Sequence, residues 1–74
     1  INVDEVLEKI KSRYAHEKIN QTDSLKIDFE KEKEWIHLRK SNTEPIIRIY
    51  AESQNEKKAN ALAQRIIEDI QSIL

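Results

Sequence analysis

The sequence predicts an α+β domain in which two helices cover one face of an antiparallel sheet. Three observations lead to this prediction. Apolar residues recur at helical spacing near both ends of the chain, apolar and polar residues alternate in the middle, and 74 residues are enough for one domain only. A chain of this length buries only about 60% of its unfolded surface, so a large enclosed active site is not expected.

The first helix is predicted over residues 3–14. Asn2 lies three residues before Glu5, as in a capping box at the start of a helix. The apolar residues that follow at spacings of three and four are Val3, Val6, Leu7, Ile10 and Tyr14. Residues 15–23 are polar and weakly patterned, and we interpret them as a loop that carries a short edge strand.

Three strands are then predicted, over residues 24–30, 35–40 and 46–53, with a turn at 31–34. In the first, apolar Leu25, Ile27 and Phe29 alternate with charged residues, as a half-buried strand requires. In the other two, alternation places Ile36, Leu38, Ile47, Ile49 and Ala51 on the core face, and Trp35, His37, Arg39, Ile46, Arg48, Tyr50 and Glu52 on the opposite face.

A long amphipathic helix closes the chain. Its apolar residues keep steps of three and four over about five turns: Ala59, Leu62, Ala63, Ile66, Ile67, Ile70 and either Ile73 or Leu74. Two starts are open, because Ser53 with Glu56 makes a capping box and Asn55 is also a suitable cap.

The composition excludes several classes of function. With 13 basic and 14 acidic residues the net charge is −1, so no overall field attracts nucleic acid or an anionic membrane, and neither partner is expected. The absence of cysteine excludes disulfides, thiolate zinc sites and thiol nucleophiles. No apolar run reaches the roughly 18 residues of a membrane span and no signal peptide is visible, so we expect a cytoplasmic protein. The chain opens on Ile1 directly before a helix, which suggests a domain excised from a longer protein.

The chain also has no glycine, so its turns depend on asparagine, aspartate and serine. Asn42 is the residue we expect at positive φ, because asparagine tolerates that region best after glycine.

The segment RKSNTEPIIRIY, residues 39–50, carries the strongest functional pattern. Arg39 and Arg48 are predicted near the facing ends of two strands, on the same face, so their guanidinium groups should converge. Arginine offers a planar fork of donors that fits carboxylate or phosphate. The alternative is that both arginines are solvated and paired with Glu44 or Glu52.

The loop between the arginines could complete an anion site. The hydroxyls of Ser41 and Thr43 and the main-chain amides of residues 41–44 could donate to one oxyanion. A phosphate monoester suits such a site better than a carboxylate, because it carries nearly two charges and three acceptor oxygens. Pro45 restricts Glu44 to extended conformations and stiffens the exit from the loop.

The segment RKSNTEPIIRIYAE, residues 39–52, resembles the motif of the C-terminal domain (domain 4) of the α-D-phosphohexomutases, the phosphoglucomutase and phosphomannomutase family. The preceding SLKIDFE, Trp35 and the closing helix agree with it, and the resemblance covers residues 24–74 well. One departure is Lys40, where the family often has proline.

The resemblance implies a TATA-box-binding-protein-like fold and a loop that holds the non-reacting phosphate of a hexose phosphate substrate. The matching positions are Arg39, Ser41, Asn42, Thr43 and Arg48. In such enzymes a phosphoserine and a Mg²⁺ site on earlier domains transfer phosphate between the 1 and 6 positions of the hexose. The resemblance therefore implies no catalytic residue and no cofactor in this chain, which should be inactive alone. Asn42, where some relatives have glycine, favours phosphoglucomutase or phosphomannomutase over phosphoglucosamine mutase.

Other polar and aromatic residues permit alternatives. His37 shares a face with Arg39 and could approach the substrate, although a half-exposed strand residue is the simpler interpretation. His16 has no second histidine or carboxylate cluster beside it, so no metal site is expected. Trp35 and Tyr50 on the open sheet face would suit a stand-alone module that binds RNA or protein, but packing against neighbouring domains or loops is favoured.

Overall fold

The computed structural model describes residues 2–21, 24–41, 43 and 46–74. In chain order the elements are α1 (Val3–Arg13), β1 (Lys18–Gln21), β2 (Leu25–Phe29), β3 (Glu34–Lys40), β4 (Ile47–Glu52) and α2 (Glu56–Ile73). This order, with both helices packed against one face of an antiparallel sheet, confirms the predicted α+β class.

Within the described residues, the four strands form one sheet in the order β1-β2-β3-β4, and each strand pairs antiparallel with its neighbour in sequence. β1 lies at an edge, as the short strand expected in residues 15–23. β4 forms the other edge. β3 begins one residue earlier than predicted because Glu34 already pairs with Phe29 of β2.

The core lies between the helices and the sheet. Alternate residues of β2 and β3 point into it, and α1 and α2 each contribute one apolar stripe. The buried apolar residues are Val6, Leu7, Ile10, Leu25, Ile27, Phe29, Ile36, Leu38, Leu62 and Ile66. The chain therefore has a hydrophobic core of its own, which fixes the positions of β3 and β4 where the loop between them begins and ends.

Both helices begin at asparagine caps. The side-chain oxygen of Asn2 accepts a hydrogen bond from the Glu5 amide at 3.1 Å, as predicted. At α2, Asn55 rather than Ser53 is the cap, since its Oδ1 accepts from the Lys58 amide at 2.9 Å. The Ser53 hydroxyl instead donates to the Glu34 carboxylate at 2.7 Å.

The C-terminal end of α1 is tied to α2 by a polar cluster. The helix ends at Arg13, one residue before the predicted end, and Tyr14 is its C-cap. The Tyr14 hydroxyl and the Arg13 guanidinium both donate to Asp69, and the Arg65 guanidinium lies 5.5 Å from the centre of the Tyr14 ring. Burial is the main cause that raises the pKa of the Tyr14 phenol, and its hydrogen bond to Asp69 adds to the effect.

The β2–β3 turn contains a residue in the left-handed region. Lys33 has φ of 55°, and no other described residue has a positive φ. Its amide donates to the Glu30 carbonyl at 3.3 Å, which closes the turn. The residue predicted at positive φ, Asn42, lies outside the described residues.

Candidate functional site

Arg39 and Arg48 are direct partners across β3 and β4. They occupy the last rung but one before the loop, and both are exposed on the face opposite Leu38 and Ile47. Side chains directly opposite one another in an antiparallel pair have Cβ atoms about 5 Å apart. The prediction that the two strands bring these arginines together is confirmed.

No carboxylate from the described residues lies within 4.0 Å of either guanidinium. Of the two alternative partners, Glu52 lies opposite Trp35, four rungs away from the arginine pair. Glu44 lies outside the described residues. Like charges placed directly opposite in a sheet repel each other, so the described fold leaves two unneutralised positive charges on one rung.

Ser41 and Thr43 are linked inside the loop. Their hydroxyl oxygens lie 3.4 Å apart, and the Thr43 amide donates to Ser41 Oγ at 3.3 Å. The Ser41 amide donates to the Ile46 carbonyl at 3.1 Å, which extends the β3–β4 ladder by one rung. The prediction that these two main-chain amides donate to an oxyanion is therefore wrong, because both already donate to acceptors within the loop. The hydroxyl groups remain as candidate donors, and Asn42 lies outside the described residues.

A pocket of about 210 Å³ lies at this end of the sheet, lined by Arg39, Lys40, Ser41 and Arg48. Three of the four lining side chains are cations and the fourth carries a hydroxyl. Such a lining suits a small oxyanion, which needs charge-assisted donors from several directions. Thr43 does not line this pocket, but its hydroxyl oxygen lies 3.4 Å from that of the lining residue Ser41.

Lys40 was not predicted as a site residue. Its ammonium Nζ lies 2.9 Å from Asp4 Oδ1 and 3.2 Å from Oδ2, so it joins the end of β3 to the first turn of α1. The two residues are 36 positions apart in the chain, and nothing in the local pattern pairs them. In the sequence, only the position of Lys40 next to Arg39 indicates that it could lie near a bound anion.

The aromatic residues of the open face contact their own sheet. The Lys26 ammonium lies 5.0 Å from the centre of the Trp35 ring, and the His37 and Tyr50 rings are 6.2 Å apart. The Ser24 hydroxyl and His37 Nε2 share a hydrogen bond. Trp35 and His37 are half-buried, whereas Tyr50 is 44% exposed. Of the aromatic side chains on this face, Tyr50 is thus the most open to a partner.

The described residues contain no group of three histidine, aspartate or glutamate side chains that could hold a metal ion. That this chain binds no metal stays a prediction. Neither of the two described helices is long and apolar enough to span a bilayer.

Comparison with known proteins shows the family to which the sequence belongs. The family model described as "Phosphoglucomutase/phosphomannomutase, C-terminal domain" matches residues 2–69. The match begins at Asn2, the cap of α1, and so includes the first helix. The motif resemblance in the sequence covered residues 24–74 and matched this helix only by its position in the chain.

Individual relatives agree with this match. A phosphoglucomutase/phosphomannomutase of Thermococcus kodakarensis is 50% identical over 42 residues, 57% of this chain and 9% of the relative. A phosphoglucosamine mutase of Idiomarina loihiensis is 49% identical over 37 residues, 50% of this chain and 8% of the relative. A phosphoglucosamine mutase of Proteus mirabilis is 30% identical over 74 residues, 93% of this chain.

The chain spans between 8% and 17% of the length of these relatives. Two of them are named for glucosamine and one for glucose and mannose, so the preference inferred from Asn42 stays a prediction. The extent of the family match decides the classification, and this chain belongs to the phosphoglucomutase/phosphomannomutase C-terminal domain family.

Proposed function

We propose that this chain is the phosphate-binding C-terminal lobe of a phosphohexomutase, and that it holds the non-reacting phosphate of a hexose phosphate. The observation that carries the proposal is the Arg39–Arg48 rung, with no carboxylate of the described residues in contact. Two like charges opposed in this way lower stability unless an anion neutralises both. A phosphate monoester supplies nearly two negative charges and three acceptor oxygens.

The proposed ligands are Arg39, Ser41, Asn42, Thr43 and Arg48. The two arginines would each donate paired hydrogen bonds, and the Ser41 hydroxyl would donate a further one. Charge-assisted hydrogen bonds contribute about 1.5 to 3 kcal/mol each. Three of them suffice for a millimolar site, about 4 kcal/mol, after the entropy lost on binding is subtracted.

The role of this lobe in a mutase would be positioning. An enzyme that moves phosphate between the two ends of a hexose binds a bisphosphate in two opposite orientations. A site that holds whichever phosphate is idle accepts both orientations and fixes the reacting end. Contacts of this kind orient the substrate for reaction, so their loss should lower turnover as well as affinity.

The chemistry itself would belong to other domains of a longer, cytoplasmic enzyme. The described carboxylates form no cluster that fits Mg²⁺, and no carboxylate or imidazole that could act as a general base lines the described pocket. We therefore place the Mg²⁺ and the phosphoserine expected from the family on the other domains. The isolated chain would bind phosphate without catalysing a reaction.

Nuclear magnetic resonance titration of the labelled chain tests the proposal. Inorganic phosphate and glucose 6-phosphate should produce saturable shifts at residues 39–43 and 48, and glucose should produce none. Arg39→Gln should abolish the shifts. Lys57→Gln, which removes an equal charge from the exposed first turn of α2, should leave them unchanged. Equal responses of both variants to phosphate would show non-specific charge binding and overturn the site.

The alternative is a stand-alone module that binds RNA or protein through the open face of the sheet, and the exposure of Tyr50 is the observation that favours it. It predicts that Tyr50→Ala abolishes binding to single-stranded RNA, whereas Arg39→Gln has only a small, salt-dependent effect. Failure of the chain to bind RNA at low salt would exclude the RNA form of this alternative.

A further inference from the structure

We propose that Lys40 is an additional phosphate ligand and that Asp4 competes with the bound anion for it, so that Asp4 weakens anion binding. This inference rests on the proposed phosphate site and adds to it a charge outside the matching positions. The observation behind it is that Lys40 lines the cationic pocket while its ammonium forms an ion pair with Asp4 of α1.

Lys40 is placed to contact either group. It lines the pocket together with Arg39, Ser41 and Arg48. Strand alternation puts its Cβ on the helix side of the sheet, where its cross-strand partner is Ile47. The strand ends there, and the flexible four-carbon stem of lysine can turn its ammonium from the helix side toward the loop.

The ion pair with Asp4 is weak enough to exchange. Both side chains are largely solvated, with the Lys40 side chain 47% exposed and the Asp4 side chain 70% exposed. Exposed pairs of this type contribute little to stability. At neutral pH a phosphate carries about 1.5 to 2 negative charges against the single charge of a carboxylate, so it attracts a nearby ammonium more strongly.

Asp4 can lose this partner at little cost. It lies in the first turn of α1, two residues after the Asn2 cap, where the helix dipole favours a negative charge. Once Lys40 turns to the anion, the Asp4 carboxylate is still stabilised by the helix terminus and by water. Asp4 thus opposes phosphate binding in two ways: it withholds Lys40, and its negative charge repels the incoming anion.

A double-mutant cycle separates these two effects. The variants are Asp4→Asn, Lys40→Met and the pair together, with Glu8→Gln as a control that removes an equal charge from an exposed position of α1. The probe is inorganic phosphate at low ionic strength, because salt screens exposed charges. Thermal unfolding of each variant checks that the fold is retained.

We expect Asp4→Asn to tighten phosphate binding about two- to fivefold and Lys40→Met to weaken it by a similar factor, as fits one exposed charge pair. In the Lys40→Met background, Asp4→Asn should have a clearly smaller effect. Glu8→Gln should match the unchanged chain.

Three results would overturn the inference. Unchanged or weaker binding by Asp4→Asn, while the unchanged chain binds and Arg39→Gln does not, would remove the role of Asp4 and leave the phosphate site intact. Equal tightening by Asp4→Asn with and without Lys40 would reduce the effect to simple repulsion. Absence of phosphate binding by every variant and by the unchanged chain would overturn the phosphate site and this inference together.

Discussion

Arg39 and Arg48 face each other across β3 and β4, and no carboxylate of the described residues contacts either guanidinium. A rung of this kind lowers the stability of the sheet, because opposed like charges repel. Function and stability are therefore in conflict at this position, and the conflict can be measured.

Arg48→Glu should stabilise the chain while it destroys the anion site. The substitution turns a repulsive cross-strand pair into an attractive one, which is worth about 0.5 to 1 kcal/mol. For a domain of this size that corresponds to a rise in Tm of about 3 to 6 °C. Thermal unfolding with and without 20-fold excess phosphate over its Kd measures both effects, since phosphate should raise the Tm of the unchanged chain only. A lower Tm for Arg48→Glu would show that the two arginines do not repel each other in the folded chain.

Arg39→Ala in the proposed full-length mutase should lower kcat/KM by at least tenfold, with a fall in kcat as well as a rise in KM. The reason is that an orienting contact stabilises the transition state as well as the bound substrate. Steady-state kinetics with hexose 1-phosphate measure both constants, and Lys57→Ala is the matched control. Unchanged kinetics for Arg39→Ala would remove this residue from the site.

Tyr14→Phe should cost about 1 kcal/mol of unfolding free energy at neutral pH, because it removes the hydrogen bond to Asp69 that ties α1 to α2. Burial, followed by that hydrogen bond, raises the pKa of the Tyr14 phenol above its ordinary value near 10. Above pH 10 the unfolded chain therefore releases a proton that the folded chain retains. The stability due to Tyr14 is complete below pH 10 and falls as the pH rises through the folded pKa.

Urea unfolding from pH 8 to pH 11 tests this sign. The difference between the unchanged chain and Tyr14→Phe should shrink above pH 10, and lysine titration should cancel because both proteins carry the same lysines. Tyr50→Phe, at an exposed tyrosine, is the control and should change the free energy of unfolding only a little. A difference for Tyr14→Phe that grows with pH would contradict the assigned direction of the pKa.

Lys33→Asn should stabilise the chain by about 0.5 kcal/mol. Lys33 has φ of 55°, a region that asparagine tolerates at a lower energy than other residues with a side chain. Thermal unfolding should show a Tm about 3 °C higher, whereas Lys31→Asn in the same turn should show no increase. Equal behaviour of the two variants would mean that the left-handed conformation is not the cause.

Local pattern accounts for most of the fold. The alternation of Leu25, Ile27 and Phe29 predicts β2, and the motif between Arg39 and Arg48 is short enough that only a tight reversal fits, which places the arginines opposite each other. The caps at Asn2 and Asn55 are also local features.

Features that depend on distant contacts could not be predicted in this way. Ser53 and Asn55 both fit the start of α2, and the choice follows from a hydrogen bond between Ser53 and Glu34, 19 positions earlier. The ion pair of Lys40 and Asp4 and the hydrogen bond of Tyr14 and Asp69 join residues 36 and 55 positions apart. The predicted main-chain donors of the anion site also differ from the structure. The Ser41 amide donates to the Ile46 carbonyl, and the sequence alone does not show this contact.

The order β1-β2-β3-β4 has a consequence for how the chain folds during synthesis. Each strand pairs with the strand made just before it, so short loops close at little entropic cost and the sheet can begin to assemble early. Its apolar face, however, packs against Leu62 and Ile66 of α2, which are translated after the four strands. We therefore expect a nascent intermediate in which Leu25, Ile27, Ile36 and Leu38 are exposed to solvent until α2 has left the ribosome. Chaperones recognise such a state, and it aggregates when translation stalls before α2.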